Sequence, residues 1–143
     1  MTTTRLARSA AGVLVAAAAL AACATTTTSP HHGGGATVTV TDGQKGARVT
    51  VHVGQGLIVA LGSTYWTIDA SPDQRVLKTD GAQAVQPVLK GCVPGGGCGT
   101  AVRHFDASAP GTVRLTASRL SCGEALRCTG GTGTFDVTVV VRS

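Results

Sequence analysis

From Thr37 onward the chain alternates apolar and polar residues with a period of two. Thr37-Val38-Thr39-Val40-Thr41 and Arg48-Val49-Thr50-Val51-His52-Val53-Gly54 each put valines on one side and polar groups on the other. That is the signature of half-buried strands, with Val38, Val40, Val49, Val51 and Val53 expected to face a core. Asp42-Gly43 supplies turn chemistry between them. Leu57-Ile58-Val59-Ala60-Leu61 is unbroken apolar and predicts an interior strand buried on both faces. Gly62-Ser63-Thr64 interrupts the run before Tyr65-Trp66-Thr67-Ile68, where Trp66, the largest apolar side chain, is expected to centre the core.

Further on, extended segments are expected at Arg75 to Lys78 and at Gln86 to Lys90, with a turn at Asp80-Gly81 between them. In Ala101 to Ala107, Val102 and Phe105 fall on opposite faces, which calls for a bulge or for burial on both sides. Thr112 to Ser118 alternates with Val113, Leu115 and Ala117 inward, and Phe135 to Val141 closes the chain with another strand. Short strands, frequent turns and no helical period across residues 36–143 predict one all-β domain, an antiparallel β-sandwich.

The first 35 residues lack this alternation. Met1 to Ala22 has Arg5 and Arg8 followed by an apolar, alanine-rich run, the pattern of a cleaved secretion signal. The run is too short for a convincing membrane-spanning helix. Its end, Leu20-Ala21-Ala22-Cys23, resembles a bacterial lipobox. That resemblance implies cleavage before Cys23, lipidation of its sulfur, palmitate-type acylation and anchoring to the extracytoplasmic face of the cell membrane. Each acyl chain contributes about 0.8 kcal/mol per buried CH₂, so more than one chain gives a durable anchor. Residues 23–35, rich in Thr, Gly and Pro, then read as a flexible tether.

Five cysteines are present, an odd number for a secreted chain. With Cys23 lipidated, Cys92, Cys98, Cys122 and Cys128 remain, in two C-x5-C pairs. Four cysteines allow three disulfide connectivities; the local one, Cys92 to Cys98 and Cys122 to Cys128, is favoured. The alternative, a four-thiolate zinc site, fits poorly with an exported protein and with this spacing.

Charge narrows the function classes. The formal net charge is +5, but without Arg5 and Arg8 ten basic residues face seven acidic ones, leaving +3. The basic residues are dispersed and aromatics are few, so no nucleic-acid partner is expected. Glu124 is the only glutamate and no nucleophile elbow or zinc helix is present, so no catalytic residues, cofactor or metal are expected and the chain reads as a non-enzyme. His52 and His104 read as surface histidines, and His31-His32 supplies at most two loose ligands.

Val51 to Leu61 followed by Tyr65-Trp66, a glycine-rich loop before a Phe strand (Gly95 to Phe105), Ala107 to Leu115, and Phe135 to Val139 together resemble the chagasin-type cysteine protease inhibitors. The resemblance spans most of Thr37 to Val141. It implies an immunoglobulin-like β-sandwich that binds papain-like proteases with three loops at one end. Carried over, the first loop is Gly62-Ser63-Thr64, lacking the family's Asn-Pro, with Tyr65 and Trp66 beside it. The second is Gly95-Gly96-Gly97, here inside a cysteine pair. The third keeps Arg119, with Leu120-Ser121-Cys122 where an aromatic would stand. The implied partner is a cysteine protease or another envelope protein; the alternative function is a structural, envelope-maintenance lipoprotein with no protease partner.

Overall fold

The computed structural model describes residues 35–143. The signal peptide, Cys23, His31-His32 and almost all of the tether lie outside these residues. Eight strands form in chain order: β1 (Val38–Val40), β2 (Arg48–His52), β3 (Gly56–Leu61), β4 (Thr67–Ile68), β5 (Leu77–Pro87), β6 (Gly99–Ala107), β7 (Gly111–Ser118) and β8 (Thr134–Arg142). They make two four-stranded sheets, ordered β1-β3-β6-β5 and β2-β8-β7-β4. The expected β-sandwich forms, and most neighbours run antiparallel. Each sheet also carries a parallel pair at one edge, β1 with β3 and β2 with β8.

The core follows from the alternation. Val40, Val51, Leu57, Val59, Leu61, Trp66, Phe105, Leu115, Phe135, Val137 and Val139 belong to one buried cluster between the sheets. Val38 and Val49 pack only partly against it, and Val53 is exposed. Val53 lies just past the end of β2, so it has no facing sheet to bury it. β3 is interior to its sheet as expected, yet only Leu57, Val59 and Leu61 are fully buried. Ile58 and Ala60 point to the outer face and are half-buried, because this sheet is covered on one side only. For β6 the burial is two-sided: Phe105 lies in the core, and Val102 is buried on the other face, level with Ala60 and Ala84.

The expected turn at Asp80-Gly81 does not form. β5 runs unbroken past it, with Asp80 opposite His104 and Ala84 opposite Val102, so Gly81, Ala82 and Gln83 stand against Arg103 alone. This is a bulge, and Gly81 takes the positive φ of 68° it requires. The bulge has a structural consequence at Gln83. Its side-chain oxygen accepts the Ile68 N–H at 2.7 Å, and its amide nitrogen donates to the Trp66 carbonyl at 2.7 Å. One amide thus pairs the outer edge of two-residue β4 as a neighbouring strand would. Arg103 supports the same strand from inside, its Nη1 donating to the Ile68 carbonyl at 2.6 Å. Neither role is visible in local sequence pattern.

Candidate functional site

Three connections leave the same end of the sandwich: residues 62–66 after β3, 88–98 between β5 and β6, and 119–133 between β7 and β8. β3 delivers Leu61 opposite Ala101, β5 delivers Pro87 opposite Gly99, and β7 delivers Ser118 opposite Thr134. Strand register therefore brings the three candidate loops together. The two cysteine pairs close locally, Cys92 to Cys98 and Cys122 to Cys128. With all four sulfurs in disulfides, none is a thiolate available to zinc. Each ring removes about 2.4 kcal/mol of unfolded-state entropy on the chain-entropy model.

The meeting point is the carbonyl of Gly95. Tyr65 of the first loop donates its hydroxyl to it at 2.9 Å, and the backbone N–H of Glu124 in the third loop donates at 2.7 Å. A second link joins the Thr64 N–H to the Gly97 carbonyl at 2.9 Å. Ser63 is buried and accepts the Tyr65 N–H, which turns the tyrosine toward the second loop. The glycines are required by close approach as well as by turning. A Cβ on Gly97, whose φ is +63°, would stand 2.4 Å from the Tyr65 ring. Gly96 meets the third loop, lying against Gly123. Gly95, Gly96 and Gly97 are thus all in or beside the contact.

Arg119 lies 4.4 Å from the centre of the Trp66 ring, a cation–π arrangement worth about 0.5–1 kcal/mol at a partly exposed site. Its Nε donates to the Thr132 carbonyl, so the guanidinium is pinned over the indole. Trp66 itself is 4% exposed. It supports the loops from the core and is not a surface for a partner, in keeping with the core role expected of it and against its place among the loop contacts. Ser63 likewise acts from beneath. Thr64, Tyr65, Gly95 and Arg119 keep accessible surface.

The residues that sequence reasoning missed are apolar and outward. Leu89 is 83% exposed and Leu120 84% exposed, and Val88, Val93 and Leu126 are exposed beside them. All five belong to the second and third loops. A shallow cleft lined by Val93, Gly96, Cys122, Gly123 and Leu126 runs between the two disulfide rings. The signal was available as unpaired hydrophobes flanking cysteines, but only the fold distinguishes an exposed loop leucine from a buried one.

Among other candidates, His52 and His104 are both exposed on outer faces. Among the described residues no group of three or more His, Cys, Asp or Glu side chains is placed to hold a metal ion. Asp73, in the β4–β5 connection, has its carboxyl held below the usual range by the Arg75 side chain and N–H, which hydrogen-bond it.

No protein-family model matches the chain, and no curated protein matches it. Among solved structures it is similar to the cysteine protease inhibitor EhICP2 from Entamoeba histolytica, with a TM-score of 0.52 and 9% identity over 74% of this chain and 95% of that one. The solution structure of amebosin aligns at a TM-score of 0.49 and 17% identity, over 76% of this chain and all of the other. At such identity the likeness to EhICP2 shows a shared fold.

Proposed function

We propose that the mature protein is a lipid-anchored inhibitor of papain-like cysteine proteases, held by Cys23 on the extracytoplasmic face of the cell membrane and acting through its loop end. The observation that carries the reading is the convergence of three loops on the Gly95 carbonyl. Loops joined in this way lose little further entropy on binding, which suits a surface that must dock as one piece. Support also comes from the fold shared with a protease inhibitor and from the order of sequence segments that resembles the chagasin type. The binding end here is rebuilt: the first loop lacks the family's Asn-Pro, a disulfide closes a ring in each of the other two loops, and exposed Leu120 follows Arg119 where the family has its aromatic motif.

Titrating the mature domain against papain is expected to abolish peptide hydrolysis at roughly micromolar concentration or below. Undiminished hydrolysis there rejects the inhibitor reading and favours the envelope-maintenance alternative. For the anchor, Cys23→Ala is expected to move the protein from the membrane fraction of a bacterial host to the soluble fraction. Retention in the membrane fraction rejects lipidation at Cys23.

A further inference from the structure

The exposed leucines of the loop end sit beside Lys90, Arg119 and Arg127, with Glu124 the one acidic residue in the same segments. Apolar tips among cations are also what a membrane-dipping surface presents. On a lipid-anchored chain the two occupants, bilayer and protein, compete as explanations. The point where the chain enters the domain decides between them.

Gly35 lies at the far end from the loops. β1 runs parallel to β3, with Val38 level with Leu57 and Val40 with Val59, so the chain enters where β3 begins and the loops open where β3 ends. Gly35 itself is against Gln55 and Gly54, at the β2–β3 connection. Ser143 leaves from that end too, because β8 finishes with Val141 opposite Gly111 and Arg142 opposite His52. The nine residues of β6 run the length between the ends, and at about 3.3 Å per residue they place the loops roughly 30 Å beyond the entry point. Eleven residues separate Cys23 from Gly35. A Gly- and Thr-rich linker of that length has a root-mean-square span of roughly 19 Å. Fully extended, the twelve steps from Cys23 to Gly35 reach about 40 Å, so the loops touch the bilayer only when the linker is stretched well beyond that span. Anchoring through Cys23 therefore favours the base of the domain toward the lipid.

From this geometry we infer that Val88, Leu89, Val93, Leu120 and Leu126 form an apolar crown that docks into an apolar cleft of a soluble protein arriving from the side away from the membrane. Leu120 and Leu126 of the third loop are its principal contacts. Resting on the inhibitor reading, this identifies the partner as a papain-like protease free in the surrounding phase, and specificity as set by leucines that the resemblance to the chagasin type does not include. The Tyr65 and Glu124 bonds to Gly95 keep the crown's two halves in one register. The neighbouring cations steer a partner of opposite charge.

The test uses the mature chain, whose Cys23 is the one cysteine outside the disulfides. Coupled through Cys23 to maleimide lipid in vesicles of phosphatidylcholine and phosphatidylglycerol at a ratio of about 3:1, it is expected to inhibit added papain within about threefold of the uncoupled chain. L120D combined with L126D is expected to weaken inhibition about tenfold or more in both settings, with the unfolding midpoint unchanged because both side chains are exposed. The Cys23→Ser chain, lacking an anchor, is expected not to sediment with the same vesicles. Undiminished inhibition by the double variant, loss of inhibition on coupling, or sedimentation of the Cys23→Ser chain each overturns the docking inference while leaving the inhibitor reading standing. Failure of the uncoupled wild-type chain to inhibit overturns both.

Discussion

Gly99→Ala is expected to lower the thermal unfolding midpoint by roughly 12 °C or more, the equivalent of about 3 kcal/mol in a domain of this size. Gly99 follows Cys98 at the start of β6, where β5, β6 and the first loop meet. Its φ of +132° lies where side chains rarely sit. An added Cβ would stand 2.2 Å from the Gln86 carbonyl oxygen, 2.8 Å from the Pro87 Cα and 2.9 Å from a Thr64 methyl. Two of these neighbours are backbone and cannot rotate aside, so the β5–β6 ladder has to open where it pairs Pro87 with Gly99. Backbone strain contributes about 1–3 kcal/mol and the overlap a similar amount. The second loop hangs from this junction, so the proposed inhibition should fall with stability. A midpoint within about 2 °C of wild type would show that the junction relaxes easily and that the glycine is not required there.

Replacing Gln83 with alanine comes next in expected effect, at about 2–3 kcal/mol of stability. The cost is not lost packing. The substitution leaves the Ile68 N–H and the Trp66 carbonyl without the partners they have in the native domain, and both bonds are at least partly shielded from water. β4 has only two residues, paired to Ser118 and Ala117 of β7, so its other edge depends on this amide together with the Arg103 bond to the Ile68 carbonyl. Amide hydrogen exchange gives the specific readout. The Ile68 N–H should be protected in the wild type and exchange faster in the variant by a larger factor than amides of β8. Unchanged protection at Ile68 would mean that β7 and Arg103 hold β4 without help. Loosening β4 also loosens Trp66 beneath Arg119, so the loop end should weaken together with the strand.

Both positions show where local sequence carries less information than the fold. Gly99 reads as one more glycine in a glycine-rich loop, and its necessity comes from Gln86, Pro87 and Thr64, which are distant in sequence or lie across a ladder. Gln83 reads as a polar residue near a turn, because Asp80-Gly81 carries turn chemistry. In the folded chain pairing with β6 continues on both sides of Gly81, and the locally favoured turn becomes a bulge. The gain from extending a ladder beside a buried strand outweighs the preference of one dipeptide.

The strands were legible because burial on one sheet face imposes a period of two, and Val40, Val51, Leu57, Val113 to Ala117 and Phe135 to Val141 obey it. The pairing of the cysteines was legible as the favoured one among three, since nearby cysteines in short glycine-bearing segments close with least loop entropy. Ser63 to Arg119 could be named as candidates from segment order. That Trp66 and Ser63 serve from below, and Leu89, Leu120 and Leu126 from above, could not, because the same residue types fill cores and crown loops.

Sequence alone thus determined the two-faced strands, the β-sandwich class they build and the spacing of its disulfide rings, since each depends on neighbours a few residues apart. Tertiary structure alone decided that three loops share the Gly95 carbonyl, that Gln83 and Arg103 hold β4, and that the chain enters at the end opposite the crown. Those properties belong to strand register and direction across two sheets, where contacts join residues far apart along the chain.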